Sequence, residues 1–218
     1  MGNASSNSAD TVKSIIVQSG VIAILRGNYE GWFVKIAQTL ADAGVVAMEV
    51  TLNSPKALEG IASVRQELGD KVLMGAGTVL NVEQTEAAIQ AGAQFIVAPN
   101  TNPRVVEYCT QRDVCVIPGA YTATEIMTAV DMGATLVKLF PADMTYFKAI
   151  RGPLNKVPFV LVGGVEPNNA ADFIRAGAVG VGMGSALIGE YVKQNGGLAI
   201  MYERASDLVK SIRALKVA

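Results

Sequence analysis

The stretch "QAGAQFIVAPN", residues 90–100, holds in eleven residues the unit from which the whole chain is built. A glycine after an amphipathic stretch supplies the left-handed residue that ends a helix, and a short continuous apolar run follows. Runs of that kind, without polar alternation, mark parallel strands covered on both faces. The same glycine turn returns in "ADAG", "DMGA" and "RAGA", starting at Ala41, Asp131 and Arg175. The apolar runs are VIAILRG (21–27), VVAMEVT (45–51), VLMGAGT (72–78) and FIVAPN (95–100). They continue with VCVIPGA (114–120), LVKLFPA (136–142), FVLVGGV (159–165) and GVGMGSA (180–186). Their starts lie roughly 20 to 25 residues apart, the length of a strand, a helix and two short loops.

Helix-start signals agree with this spacing. Ser54-Pro55 and Asn102-Pro103 each offer an N-cap followed by proline at the first helical position. Thr122 with Glu125 reads as a capping box, and Asn81 with Gln84 as a similar one. Strand-then-helix units repeated eight times predict an α/β protein, a single (β/α)8 TIM barrel. A doubly wound open sheet is the alternative that the same pattern admits. One domain is expected over residues 10–218, after a polar tail over residues 1–9 that is too poor in apolar groups to order. "MGNASS" at its start fits the myristoylation pattern through Gly2 and Ser6, although a pattern this short arises readily by chance.

Composition narrows the chemistry. Half of the 218 residues are hydrophobic, 17% are charged and the formal net charge is −1, so nothing marks a nucleic-acid or membrane-surface binder. The absence of histidine removes Ser-His-Asp triads, His-ligated zinc and His general bases. Two cysteines, Cys109 and Cys115, suit a reducing compartment better than a disulfide framework. No apolar run reaches the roughly 18 residues of a membrane span. A cytoplasmic location is expected.

Only Arg26, Glu49 and Lys138 carry ordinarily charged side chains within the eight apolar runs. Strand alternation puts Ala47, Glu49 and Thr51 on one face, and Leu136, Lys138 and Phe140 on one face of the sixth run. If these faces point inward, an acid and an amine meet at the C-terminal mouth, where barrel enzymes do their chemistry. A structural ion pair is the plainer reading of the same two residues. Burial disfavours ammonium, however, and a desolvated lysine becomes nucleophilic near neutral pH. Schiff-base formation with a carbonyl compound is the chemistry that suits it best. The last two runs end in glycines, Gly163-Gly164 and Gly182, Gly184 with Ser185. Loops after strands seven and eight, with a short helix N-terminus at "SALIG" (185–189), commonly cup a phosphate in such barrels.

Taken together, "IAILRG", "MEVTLNSP", "GAGTVL", "FIVAPN", "IPGAYTATE", "VKLFPA", "VGGVEPNN" and "RAGAVGVGMGSAL" resemble the KDPG/KHG aldolases. These are class I aldolases acting on 2-keto-3-deoxy-6-phospho-sugar acids. The resemblance runs in family order over nearly all of residues 15–190. It implies cleavage to pyruvate and glyceraldehyde 3-phosphate through a covalent imine on Lys138, with Glu49 moving protons and no metal or other cofactor. It places Arg26 and Thr78 near the substrate carboxylate, and Asn53, Pro99, Phe140 and Val162 along the substrate. Gly163, Gly164, Gly184 and Ser185 would bind the phosphate. It also implies a homotrimer.

Three features depart from the gluconate-type pattern. Asn53 stands where such members often carry arginine, and Val162 where they usually carry threonine. Both, with "LNSP", resemble the branch acting on the galactonate epimer. The loop "ADMTYFK" (142–148) is short and lacks a glycine. Other readings of the same residues are a phosphate-barrel epimerase or phosphosynthase, a 4-hydroxy-2-oxoglutarate aldolase, or a binding barrel in which Glu49 and Lys138 are only a buried pair.

Overall fold

The eight apolar runs become nine parallel strand segments, because the fifth run is interrupted. The structure, a computed structural model, describes residues 8–216. Its strands are β1 (Val21–Leu25), β2 (Ala47–Thr51), β3 (Leu73–Gly77), β4 (Phe95–Val97) and β5 (Cys115–Ile117), then β6 (Gly119–Ala120), β7 (Val137–Leu139), β8 (Phe159–Val162) and β9 (Gly180–Met183). The helices are α1 (Ala9–Ser19), α2 (Phe33–Asp42), α3 (Ala57–Leu68), α4 (Val82–Gln90) and α5 (Pro103–Thr110), then α6 (Ala123–Asp131), α7 (Met144–Arg151), α8 (Ala170–Arg175) and α9 (Gly197–Lys216).

The sheet runs β5-β4-β3-β2-β1-β9-β8-β7-β6. Because β1 pairs with both β2 and β9, the first and last strands are neighbours, which makes a nearly closed barrel and not an open doubly wound sheet. The two ends of that order, β5 and β6, are separated in the chain by Pro118 alone. Proline lacks the N–H a ladder needs, and Gly119 is drawn so close to β4's exit that a Cβ there would lie 2.2 Å from the Pro99 carbonyl oxygen. The expected strand count of eight is therefore nine segments. Hydrogen bonds from Thr135 N–H to the Val116 carbonyl (3.1 Å) and from Lys138 N–H to the Pro118 carbonyl (2.9 Å) cross the seam.

Alternation along each strand divides the core in two. Outward side chains such as Met48, Met74, Ile96, Val137 and Leu161 pack under the helices. Inward ones such as Ile22, Leu73, Phe95, Cys115, Leu136 and Val160 fill the barrel. α1 belongs to that inner cluster through Val12 and Ile16, both fully buried. Its contacts with β1, β2, β5 and β9 set it across the N-terminal end of the barrel.

Local signals mostly act as expected. The Thr122–Glu125 capping box forms, and Asn102 accepts from Arg104 N–H with Pro103 as the first helical residue. Asn81 accepts from Gln84 N–H, but Gln84 reaches back to Leu80 N–H instead of Asn81's own. Gly44, Gly92, Gly133 and Gly177 follow their helices at φ between 85° and 102°. Ser54 does not cap a helix, because its hydroxyl is engaged by Gly27 N–H (3.1 Å) and Thr51 Oγ1 (2.9 Å), and α3 starts only at Ala57. At the N-terminus, the myristoylation pattern of residues 2–6 and most of the expected tail lie outside the described residues. Ser8 and Ala9 are instead the cap and first residue of α1, since Ser8 Oγ accepts from Thr11 N–H. Among the described residues no helix is long and apolar enough to cross a membrane.

Candidate active site

Alternation pointed two charges inward, and both are buried in the structure. Glu49 in β2 is 2% exposed and Lys138 in β7 is 4% exposed. Both border a gap of about 10 Å³ inside the barrel, walled by Ile22, Ile24, Val97, Ile117, Val160 and Val162. That is at the lower limit of the room one water needs. Burial pushes the Glu49 carboxyl above the ordinary carboxylate range, while Lys138 and Arg26 pull it back more weakly. Burial likewise lowers the Lys138 amine, against the pull of Glu49, and Arg26 adds to the lowering. Both groups are thus biased towards their uncharged forms. They are not among the ion pairs within 4 Å found in the described residues.

Above this gap a cavity of about 290 Å³ opens at the C-terminal end of the strands. Lys138 and Ile24 form its inner end, with Arg26, Phe140 and Val162 along the walls. Gly163, Gly164, Gly184 and Ser185, from the loops after β8 and β9, line the cavity as well. The Lys138 ammonium position lies 4.8 Å from the centre of the Phe140 ring, within cation–π range. Gly163 and Gly164 both hold positive φ, 82° and 77°, so the loop turns its backbone to the cavity. Among the described residues no protein group accepts from the N–H of Gly164, Ser185 or Ala186, which leaves three donors for an anion. The expected short helix over residues 185–189 is a single turn, in which Leu187 and Ile188 N–H both donate to the Gly184 carbonyl.

Arg26 just follows β1, and its Nη2 donates to Thr78 Oγ1 at 3.2 Å. Thr78 is held at φ 56°, a costly conformation for a β-branched residue. The Ser54–Gly27 bond ties the Arg26 loop to β2's exit, and Tyr29 Oη donating to the Ile188 carbonyl (3.1 Å) ties it to the loop after β9. Asn53 is exposed in the turn after β2 and does not line the cavity. Pro99 also stands off it, its carbonyl lying close against Gly119. The cavity adds Val165 and Glu166, which the sequence pattern alone did not place in a site. Glu166 follows the Gly-Gly-Val turn directly, so extending that motif by one residue would have found it. Among the described residues no cluster of three or more Cys, Asp or Glu is arranged to hold a metal ion.

Comparison with known proteins points to one family. A family model for KDPG and KHG aldolases matches residues 12–202. The 2-dehydro-3-deoxy-phosphogluconate aldolase of Treponema pallidum is 46% identical over 145 residues, 65% of this chain and 69% of the relative. The 2-dehydro-3-deoxy-6-phosphogalactonate aldolase of Escherichia coli is 40% identical over 171 residues, 77% of this chain and 83% of the relative. Among solved structures, the Legionella pneumophila KDPG aldolase with pyruvate captured as a covalent carbinolamine superimposes with a TM-score of 0.83. It is 26% identical, over 90% of this chain and 97% of that one.

Proposed function

The chain belongs to the KDPG and KHG aldolase family, and from that premise we propose that it cleaves a 2-keto-3-deoxy-6-phospho-sugar acid to pyruvate and glyceraldehyde 3-phosphate. The Lys138 amine adds to the C2 ketone, and loss of water gives the imine. The C4 hydroxyl then gives up its proton, the C3–C4 bond breaks, and its electron pair moves towards the imine nitrogen. C4 leaves as the aldehyde. Protonation of the resulting enamine at C3 and addition of water release pyruvate and restore the amine. Glu49 carries the protons, directly or through one water in the gap it shares with Lys138.

The observation that carries this reading is a lysine 4% exposed at the inner end of the cavity, its amine biased by burial towards the nucleophilic form. Arg26, supported by Thr78, serves the substrate carboxylate. Phe140 and Val162 flank the chain of the substrate, with Asn53 and Pro99 at the rim. Gly163, Gly164, Gly184 and Ser185 receive the phosphate, a role favoured by the unengaged N–H groups there. The reaction needs no metal or other cofactor. We also read β5 and β6 as one strand interrupted at Pro118, giving a (β/α)8 barrel. We read the protein as a cytoplasmic homotrimer, the assembly being in keeping with exposed Leu58, Leu80, Tyr121 and Met127. The test is incubation with pyruvate and borohydride followed by mass mapping. One reduced pyruvyl group on Lys138 is expected, and an unmodified Lys138 would overturn the assignment.

A further inference from the structure

The last residue of β3, Gly77, lies on the inner face beside the Glu49 side chain, in the register Glu49–Gly75 and Thr51–Gly77. A Cβ at Gly77 would lie 2.2 Å from Glu49 Oε1, 2.7 Å from Glu49 Cδ and 3.1 Å from Thr51 Cγ2. Atoms do not approach so closely, so the carboxyl occupies the volume that any side chain at position 77 would take. The atom in conflict is the free end of a flexible side chain, so an added methyl would swing the carboxyl aside and leave the strand in place. What surrounds it fixes where it would go. Ile24, Val97, Ile117, Val160 and Val162 wall the gap, and Lys138 is the buried amine that borders it with Glu49.

We propose that the bare Gly77 is a slot that parks the Glu49 carboxyl off the Lys138 amine, making Gly77 a positioning residue for both groups. The proposal rests on the imine reading given above. A carboxylate released from the slot would move towards Lys138, and an opposite charge within about 4–6 Å favours the ammonium, which cannot attack a ketone. Other charges do not oppose this. Among the described residues, β4, β6, β8 and β9 bring no ionisable side chain to the gap, and Arg26 stands at the cavity wall. Cys115 is deeper in the barrel, its thiol pushed up to about 12 by burial. Glu166 sits at the outer cavity.

The experiment compares wild type, Gly77→Ala and Glu49→Asp/Gly77→Ala by two readouts. One is the rate of borohydride trapping with pyruvate as a function of pH; the other is exchange of the pyruvate methyl protons with deuterium, followed by NMR. In Gly77→Ala, trapping should still reach completion, but its acid limb should move to higher pH by about one unit. Methyl exchange should fall by about 10²-fold, the lower range for a displaced general base. The aspartate, one methylene shorter, should fit beside the added methyl and bring the pH limb back towards that of the wild type. A merely structural glycine would not shift that limb. A Gly77→Ala enzyme with the wild-type pH profile would overturn the proposal, as would an aspartate variant with no recovery. If Gly77→Ala fails to fold, Glu49→Ala/Gly77→Ala should fold, because the obstructing carboxyl is gone; its failure would also overturn it. Wild-type protein that is not trapped at all would instead bring down the imine reading, and the proposal with it.

Discussion

The two ends of this barrel use the same strands and differ by a single step of alternation. At the N-terminal end the inward layer is Ile22, Ala47, Leu73, Phe95, Cys115, Leu136 and Val160, sealed by Val12 and Ile16 of α1. Two residues further along, the same strands present Ile24, Glu49, Gly75, Val97, Ile117, Lys138 and Val162. One layer is apolar and closed; the next holds an acid, an amine and bare backbone. Burying an amine without a close partner costs free energy, and the packed layer beneath, with the helices outside, offsets it. Stability and chemistry are therefore stacked along each strand, and a substitution should reveal which layer it touches.

Lys138→Met should give the largest effect on one side of that division. With no other amine at the gap, turnover should fall by on the order of 10⁴-fold or more. The fold should gain. A lysine whose folded pKa is lowered binds its proton more weakly in the native state than in the unfolded chain, so protonation favours unfolding. That penalty is full below the folded pKa and fades as pH rises towards the unfolded value. Methionine removes it, so the melting temperature should rise at neutral pH and the gain should shrink in alkaline buffer. Thermal melts at several pH values check this, and a variant less stable than the wild type at pH 7 would mean that the amine is held as a paired ammonium.

Ile16→Ala probes the other side. Ile16 is fully buried against the inner cluster, so truncation should cost about 2–5 kcal/mol of stability. It lies in the layer opposite the cavity, so kcat measured well below the melting temperature should stay near the wild-type value. Urea unfolding with parallel assays separates the two quantities. A large loss of kcat in folded protein would show that the layers are coupled.

Much of this division is legible in the amino-acid sequence, because alternation and helix punctuation are local properties. The inward placement of Glu49 and Lys138 follows from the strand period, and the caps at Asn102 and Thr122 follow from one side chain and one N–H. What local pattern does not reveal depends on distances between strands. Pro118 splits a strand because Gly119 is pulled against Pro99, and Ser54 is lost to the Gly27 N–H as a cap. The bare position at Gly77 acquires meaning only from the Glu49 carboxyl that fills it. The resemblance that set Asn53 and Pro99 along the substrate works position by position, and neither residue lines the cavity. The role of α1 as a plug is not visible in sequence, because a short amphipathic helix does not reveal which surface it will cover.

The smallest effect is expected where the two layers meet, at Val162. Its side chain is 8% exposed, borders both the small gap and the cavity, and would press within 2.8 Å on a Cβ at Gly182. An apolar side chain here offers no hydrogen bond to the C4 hydroxyl, so it gives no basis for preferring the gluconate epimer, and the galactonate epimer should be cleaved with comparable or better kcat/KM. Val162→Thr keeps the shape and adds one hydroxyl. Where that hydroxyl finds the C4 oxygen it should shift the preference towards gluconate by about 0.5–1.5 kcal/mol, one net hydrogen bond, or roughly twofold to twelvefold in kcat/KM. With no substrate bound, that hydroxyl faces the open cavity where water can partner it, so the free variant should keep a stability near that of the wild type. Coupled pyruvate-release assays on the two epimers, run beside thermal melts, measure both. A wild-type preference for gluconate above about a hundredfold, some 2.7 kcal/mol, would remove Val162 as the determinant and move the search to Glu166 and to residues 142–148, which form not the expected loop but the cap and first turn of α7, while leaving the role of Lys138 untouched.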